Sequence, residues 1–346
     1  MKNNTLKDMT SQKNDSFSVI WKELSKCKRV AMSLHARPDG DSLGSCTALK
    51  YVLERDLDIK VDLVSYDSLE EELSALPFAK DVRFGVDLTD LNLDSYDAVM
   101  FVDSSLKNFS GKLRERFTIP QGIFSIVIDH HSANERFGNL NYVDENAPSA
   151  CSVLIDLFRA NKVMFDHELC LRLLIGLSTD TGFFAYDSSP LRALKEAVFL
   201  IECGNVNYYQ EITLPIRMSV SLKMKKLHGL IINNLVIDKN LRAGYSIISL
   251  SDVAHLGLNA SDIRGGIRAI QDLKDVDFTF TLTELSDSIK GSFRSSRNVD
   301  VSRFALALGG GGHKPAAAFV LPKMPLEKAI NHVLEVIRKV GIHPIH

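Results

Sequence analysis

Four short runs of consecutive apolar residues punctuate the first half of the chain, at positions 30–34, 61–64, 98–102 and 123–128. Each is too short for an independent helix and none alternates strictly with polar residues. That is the pattern of strands buried on both faces of a sheet. Between them lies helical periodicity, clearest over 42–57, where Leu43, Cys46, Leu49, Leu53 and Leu57 recur at spacings of three and four. Further helices are expected over 150–160, 167–177 and 191–202. Strands alternating with helices predict right-handed βαβ units, an α/β fold with a mainly parallel sheet flanked by helices.

Beyond about residue 210 the texture changes. The stretch 216–236 reads as one long helix, a connector, and 244–250 as a strand. The segment DFTFTLTE, 277–284, alternates Phe and Leu with Thr, the period-two signature of a half-exposed strand, and 288–294 is its hairpin partner. A helix over 301–308 leads into four consecutive glycines, 309–312, and a helix over 325–340 closes a smaller second α/β domain. The domain boundary is placed at about 210–235. At 346 residues the chain exceeds what one core usually organises, so two domains agree with its length.

Composition narrows the function more than the fold. A formal charge of -2 gives no global attraction for long duplex nucleic acid, so phosphate binding must rest on local charge and a short substrate is favoured. The cysteines, Cys27, Cys46, Cys151, Cys170 and Cys203, are odd in number and form no CxxC pair, which reads as reduced thiols in a cytoplasmic protein. The polar segment 1–16 has no apolar signal core and is expected to be disordered or loosely attached. No apolar stretch approaches the roughly 20 residues needed to span a bilayer, so no membrane partner is expected.

Candidate chemistry sits where the strands end. The first run is followed by His35, then Asp39 and Asp41 in HARPDGDSLGS; the third by Asp103; the fourth by Asp129, His130 and His131. Ligands of open α/β sheets bind at that carboxyl edge. A fourth acid, Asp180, follows the apolar stretch 173–177 in STDTGFF. A lone Asp at a strand end is more often a turn or cap residue, and Asp41 before Ser42 could cap a helix by itself. Independent caps do not explain why His accompanies Asp at two strand ends. Two divalent ions about 3.5–4 Å apart need a bridging carboxylate and further O and N ligands. This thiolate-free set suits Mn²⁺, and less strongly Fe²⁺, Zn²⁺ or Mg²⁺. Gly40, by its permissive backbone, would let Asp39 and Asp41 address different ions, and Pro38 would stiffen the turn.

HARPDGDSLGS, FVDSS, VIDHH and STDTGFF resemble, in order and separation, the four signature motifs of the DHH phosphoesterase superfamily. GSFRSS and GGGGHKPAAAF resemble the DHHA1 domain that accompanies one branch of it. The layout is similar to stand-alone nanoRNase/pAp-phosphatase-like and cyclic-dinucleotide phosphodiesterase members. It looks unlike RecJ nucleases, which carry an additional OB-type domain, and unlike pyrophosphatases of the superfamily, whose C-terminal domain lacks the glycine-histidine motif seen here. The resemblance implies a DHH domain over 17–210, a connector over 211–236 and a DHHA1 domain over 237–342. It implies two Mn²⁺ per chain, one held by His35, Asp39 and Asp103, the other by Asp41, Asp103, His130 and Asp180, with Asp103 bridging. Asp129 would orient the histidines, and His131 would lie near the scissile phosphate. Ala318 stands where the family usually has the last glycine of its GGGHxxAAG motif, which questions the shape of that loop.

The glycines have a rationale of their own, since consecutive glycines let backbone amides approach a phosphate or base. Substrate contacts are therefore expected from Arg294, Ser295, Gly310, Gly311, Gly312 and His313, with Arg297 nearby. Arg264 and Arg268 read equally well as a solvated helix face, and His228, His255 and His332 as surface or core. The expected activity is two-metal hydrolysis of short oligoribonucleotides or dinucleotides to mononucleotides, with pAp as a further substrate. A cyclic di-AMP phosphodiesterase is the alternative within the same chemistry, and an inactive nucleotide-binding regulator the alternative outside it. A homodimer is compatible with the sequence.

Overall fold

The computed structural model describes residues 14–105, 109, 123–132, 134–185, 191–218, 220–258, 262–295 and 299–342, the side chains of Asp262, Arg264 and His313 excepted. The chain divides into two compact units, Met1–Ser219 and Val220–His346. Among the described residues no helix is long and apolar enough to cross a membrane, and the cysteines are unbridged.

In the first unit, helix α1 (Phe17–Leu24) precedes strand β1 (Arg29–Ser33), helix α2 (Gly40–Leu57), strand β2 (Lys60–Ser65), helix α3 (Glu71–Ser74), and strands β3 (Arg83–Phe84), β4 (Ala98–Val102), β5 (Phe124–Asp129) and β6 (Leu140–Val143). Helices α4 (Ala150–Ala160), α5 (His167–Asp180) and α6 (Leu191–Gly204) come next. The six strands form one parallel sheet in the order β3-β2-β1-β4-β5-β6. Both faces are covered, which is why the apolar runs are continuous. Val30, Met32, Met100, Ile126 and Ile128 pack with the helices on one side, and Ala31, Val99, Phe101 and Val127 lie in a smaller core on the other. Each such fully buried aliphatic side chain stabilises the sheet by roughly 1.5–3 kcal/mol. The strand order reverses between β1 and β4, and a crevice opens at their carboxyl ends.

Two of the sheet's strands escape the sequence pattern. β3 has only two residues, both exposed, and β6 interrupts its apolar residues with Asn141. The segment expected to be loose is anchored at its end. Asn14 donates to the Val143 carbonyl, the Asp15 amide to Asn141, and Ser16 caps α1. Residues 1–13 lie outside the described residues.

Helices α2 and α5 approach very closely. A Cβ on Gly40 would meet Thr179 Oγ1 at 2.2 Å, one on Gly44 the Arg172 carbonyl at 2.5 Å, and one on Gly176 Asp41 Oδ1 at 2.7 Å. Gly40 is thus the first residue of α2, required for its size. The backbone freedom expected of it is not what it supplies.

The second unit holds helix α7 (Leu222–Asn233), strands β7 (Val236–Asp238) and β8 (Ala243–Ile248), helix α8 (Leu250–His255), a 3₁₀ segment (Asp262–Ala269), strands β9 (Phe278–Glu284) and β10 (Ser288–Ser295), helix α9 (Ser302–Ala307), strands β11 (Gly311–His313) and β12 (Ala316–Pro322), and helix α10 (Leu326–Val340). Its sheet runs β11-β12-β10-β9-β8-β7, antiparallel except for the parallel pair β8–β9.

Three expectations are corrected here. The single helix over 216–236 is a π-helical segment, Tyr209–Met218, followed by α7, which Ser221 caps through the Met224 amide; Leu227 and Ile231 of α7 pack into the second unit. Strand β9 is central and buried on both faces, so Thr279, Thr281 and Thr283 are covered and not solvated. The glycine stretch is not simply a loop. Gly311 and Gly312 pair with Ala318 and Ala317 as strand β11, with Ala318 in regular register. Gly309 and Gly312 have φ of 78° and 142°, and a Cβ on Gly310 would meet the Ala318 carbonyl at 2.2 Å.

Candidate metal centre

The crevice between β1 and β4 gathers the acidic and imidazole side chains. Each is delivered by a distinct piece of local structure. Asp39 is the N-cap of α2, its Oδ1 accepting from the amides of Asp41 and Ser42 at 3.1 and 3.0 Å. The cap expected at Asp41 therefore belongs to Asp39. Asp41, in the first turn, instead accepts from the amides that open α4, Ala150 to Oδ2 at 2.6 Å and Cys151 to Oδ1 at 3.1 Å. A helix N-terminus is a favourable place for that charge. Asp180 is the last residue of α5, brought alongside by the glycine-lined contact with α2. Asp103 follows β4 with a left-handed backbone, φ 55°, a conformation a non-glycine residue adopts at a cost.

Two donor triads result. His35 Nε2 lies 3.6 Å from Asp39 Oδ1 and 3.3 Å from Asp103 Oδ2. His130 Nε2 lies 3.6 Å from Asp103 Oδ1, 3.6 Å from Asp180 Oδ2 and 3.9 Å from Asp41 Oδ2. Within the groups His35, Asp39, Asp103 and Asp41, His130, Asp180, all candidate ligand atoms fall within 4.8 Å of one another. Separations of 3.3–3.9 Å are long for hydrogen bonds. Donors bound at about 2.0–2.2 Å to a common ion would stand roughly 3–4 Å apart. Asp103 faces one triad with each oxygen, and its Oδ1, fully buried, has no hydrogen-bond partner. An orphaned buried carboxylate oxygen between two imidazoles fits a cation.

The imidazoles are set for the same purpose. His35 Nδ1 donates to the Ala36 carbonyl at 2.9 Å and His130 Nδ1 to the Ala147 carbonyl at 3.3 Å. Because a carbonyl only accepts, the proton is fixed at Nδ1 and the Nε2 lone pair is presented to the triad.

Electrostatics report the crowding. Burial, and then the charge on Asp103, push the Asp41 carboxyl up to about 7. Burial and then Asp41 raise Asp180 well above the carboxylate range. Burial would raise Asp103 too, but His130 and His35 outweigh it and hold that carboxyl low. Burial opposes charge on His35 and His130 as well, yet the surrounding carboxylates raise both well above the usual imidazole value. Carboxylates packed this closely await a positive charge.

Asp129 is fully buried, and with Asp103, His130 and His131 it forms a further group whose candidate ligand atoms lie within 4.8 Å of one another. Its Oδ1 accepts from the His130 amide at 2.7 Å and from His131 Nδ1 at 2.9 Å. Asn134 donates to its Oδ2 at 2.6 Å. His131 stands edge-on to His130, with ring centroids 4.5 Å apart.

Models of two families match the chain: the DHH family N-terminal domain over residues 29–177 and the DHHA1 domain over 244–340. The chain belongs to the DHH/DHHA1 phosphoesterase family. A Thermus thermophilus protein named bifunctional oligoribonuclease and PAP phosphatase NrnA is 30% identical over 227 residues, 64% of this chain and 66% of that protein. The Bacillus subtilis protein of the same name is 23% identical, covering 83% of this chain and 88% of its own. In fold, the chain is similar to the crystal structure of an exopolyphosphatase-related protein from Bacteroides fragilis, with a TM-score of 0.82, 20% identity, and 93% and 95% of the two chains covered.

The candidate contacts in the DHHA1 domain are placed less completely. Arg294 lies on β10, paired with Thr279 and Ala316, its Nη1 donating to the Phe293 carbonyl at 2.8 Å. Ser295 Oγ accepts from the Val299 amide at 2.8 Å, a turn-closing role that the sequence did not suggest. Arg297 and the His313 side chain lie outside the described residues. His255 ends α8. In the DHH domain, sequence reasoning missed the amide terminus of α4, the Ala147 carbonyl and Asn134. Ser149 signalled a helix start there, but nothing local tells that this start faces Asp41.

Proposed function

We propose that this protein is a Mn²⁺-dependent phosphodiesterase that hydrolyses short oligoribonucleotides or dinucleotides to mononucleotides, and also pAp to AMP. The observation that carries this reading is the pair of donor triads sharing Asp103, one oxygen to each. His35, Asp39 and Asp103 would hold one ion, and Asp41, Asp103, His130 and Asp180 the other. Two such ions lower the pKa of a bound water and neutralise charge on the phosphoryl oxygens.

The chain's own groups supply the rest. Burial opposes charge on His131, but Asp129 and then Asp103 raise its pKa. Asp129 accepts the hydrogen bond from Nδ1, so a protonated His131 would donate its Nε2 proton to the departing oxygen. In the second unit, Arg294 would grip a phosphate. The small size of Gly310, whose amide already donates to the Ala305 carbonyl, and the amides of Gly311 and Gly312, with Ser295 and His313, would seat a terminal nucleotide. The names of the Thermus and Bacillus relatives, oligoribonuclease and PAP phosphatase, support that substrate class.

Mn²⁺-dependent turnover of pApA, pAp, cyclic di-AMP and a long single strand tests the reading. Fastest turnover of pApA is expected. Preference for the long strand would overturn it, preference for cyclic di-AMP would reassign the substrate, and binding without turnover of any would make the protein a regulator.

A further inference from the structure

We infer that Asn134 is a positioning residue of the metal centre, the clamp that fixes the β4 turn carrying Asp103 against the β5 turn carrying Asp129, His130 and His131. This role rests on the proposed metal reading, and Asn134 lies outside the four DHH motifs.

Strands β4 and β5 run in parallel register as far as Val102 and Ile128, and the Asp103 amide makes one more bond to the Ile128 carbonyl at 3.0 Å. Past that point the ladder ends. Asp103 turns into the left-handed region and the other chain turns away as His130-His131. The centre nevertheless needs Asp103 Oδ1 and the imidazoles of His130 and His131 held 3.6 Å apart across this gap. Asn134 spans it. Its Nδ2 donates to the Ser104 carbonyl at 2.9 Å, the residue after Asp103, and to Asp129 Oδ2 at 2.6 Å.

The amide orientation is dictated by chemistry. Both partners are pure acceptors, so the nitrogen must face them, and Oδ1 correspondingly accepts from the Arg136 amide at 2.7 Å. Both N–H groups are used. The loop itself is closed by the Asn134 amide donating to the His131 carbonyl at 3.1 Å. Asp129 is thereby held from both sides. One oxygen orients His131 and the next two backbone amides, while the other accepts from Asn134. Asn134 touches no member of the two donor triads, so it acts through Asp129 and Ser104.

The test is to compare wild type, Asn134→Ala and Asn134→Asp, the last keeping the shape while removing both donors. Arg136→Ala serves as a control, loosening the same loop from the Val143 carbonyl without touching Asp129. Mn²⁺ affinity by titration calorimetry, kcat and KM on pApA, and melting temperature are read for each. Both Asn134 variants are expected to lose on the order of 10–100-fold in Mn²⁺ affinity and in kcat, as when partners of metal ligands are removed. KM should stay within about threefold, and Arg136→Ala should keep kcat while losing melting temperature. Asn134→Asp matching wild type in affinity and kcat, in a protein that does bind Mn²⁺ and turn over, overturns the assignment. So does Arg136→Ala losing kcat in equal proportion, because the effect would then be general loosening. Wild type that binds no Mn²⁺ overturns the metal reading instead.

Discussion

Stripped of divalent ions, the DHH domain should become less stable as pH rises from acid to neutral, the reverse of a protein whose carboxylates are ion-paired. Asp41 is 1% exposed and its carboxyl is pushed from 3.8 to about 7 by burial and by Asp103. Between pH 4 and pH 7 the folded chain therefore holds a proton that the unfolded chain has released, and each step upward costs the fold. Above pH 7 Asp41 is ionised in both forms and its own contribution levels off. Three pKa units at about 1.4 kcal/mol each set a ceiling of about 4 kcal/mol. Because Asp41 titrates jointly with its neighbours, about 2–4 kcal/mol is the working range. Asp180 shifts in the same direction. The raised imidazoles of His35 and His130 add to the trend, since stability they lend below their unfolded pKa is lost as they deprotonate. At about 2–4 °C per kcal/mol for a unit of this size, the melting point should fall by roughly 5–15 °C. Trp21, the sole tryptophan, lies in the first unit and reports that unit's transition. Melting curves of chelator-treated and Mn²⁺-loaded protein at pH 5, 6, 7 and 8 make the measurement. Mn²⁺ takes the place of the protons, so the gap between the curves should widen with pH. A chelated protein whose melting point rises over that range, or a pH-independent Mn²⁺ shift, would refute the reasoning.

Three substitutions probe other parts of the structure. Asp103→Asn keeps a residue that tolerates the left-handed backbone but lacks the bridging charge; kcat on pApA should fall on the order of a hundredfold or more. Gly176→Ala would place a Cβ 2.3 Å from Cys151 Sγ and 2.7 Å from Asp41 Oδ1; urea unfolding should show a loss of about 1–3 kcal/mol, accompanied in calorimetry by weaker Mn²⁺ binding. In the second unit, Thr283 Oγ1 is buried without a hydrogen-bond partner, so Thr283→Val should gain roughly 1 kcal/mol in urea unfolding. An equal loss would mean that the hydroxyl is bonded.

The parallel sheet and the residues at its carboxyl edge were legible because burial on both faces leaves continuous apolar runs, and the first polar residues after such a run mark the edge. Asp103, Asp129 and His130 could be placed that way. β3 and β6 could not, being too short or too polar to carry a period. The DFTFTLTE segment misled because alternation reports two chemically different faces, and here the threonine face is covered by a second layer led by Leu227, Ile231 and Ile267. The connector helix was overextended because apolar spacing continues across Ser221, whose cap restarts the helix. Least legible were long-range partners. No local pattern states that the amides of Ala150 and Cys151 will meet Asp41, or that Gly40 is small for the sake of Thr179.

The double duty of two aspartates bears on how a member of this family could lose its activity. Asp39 starts α2, so folding favours it even where turnover no longer matters, whereas Asp41 secures the start of α4 but carries a charge whose burial costs the fold at neutral pH. Asp180 caps no helix, and Asp103 holds its turn at a backbone cost. A descendant that had become a pure binder would drift first at positions 180 and 103 while position 39 stayed acidic. In telling a working copy from a silent one, the first two are the informative letters.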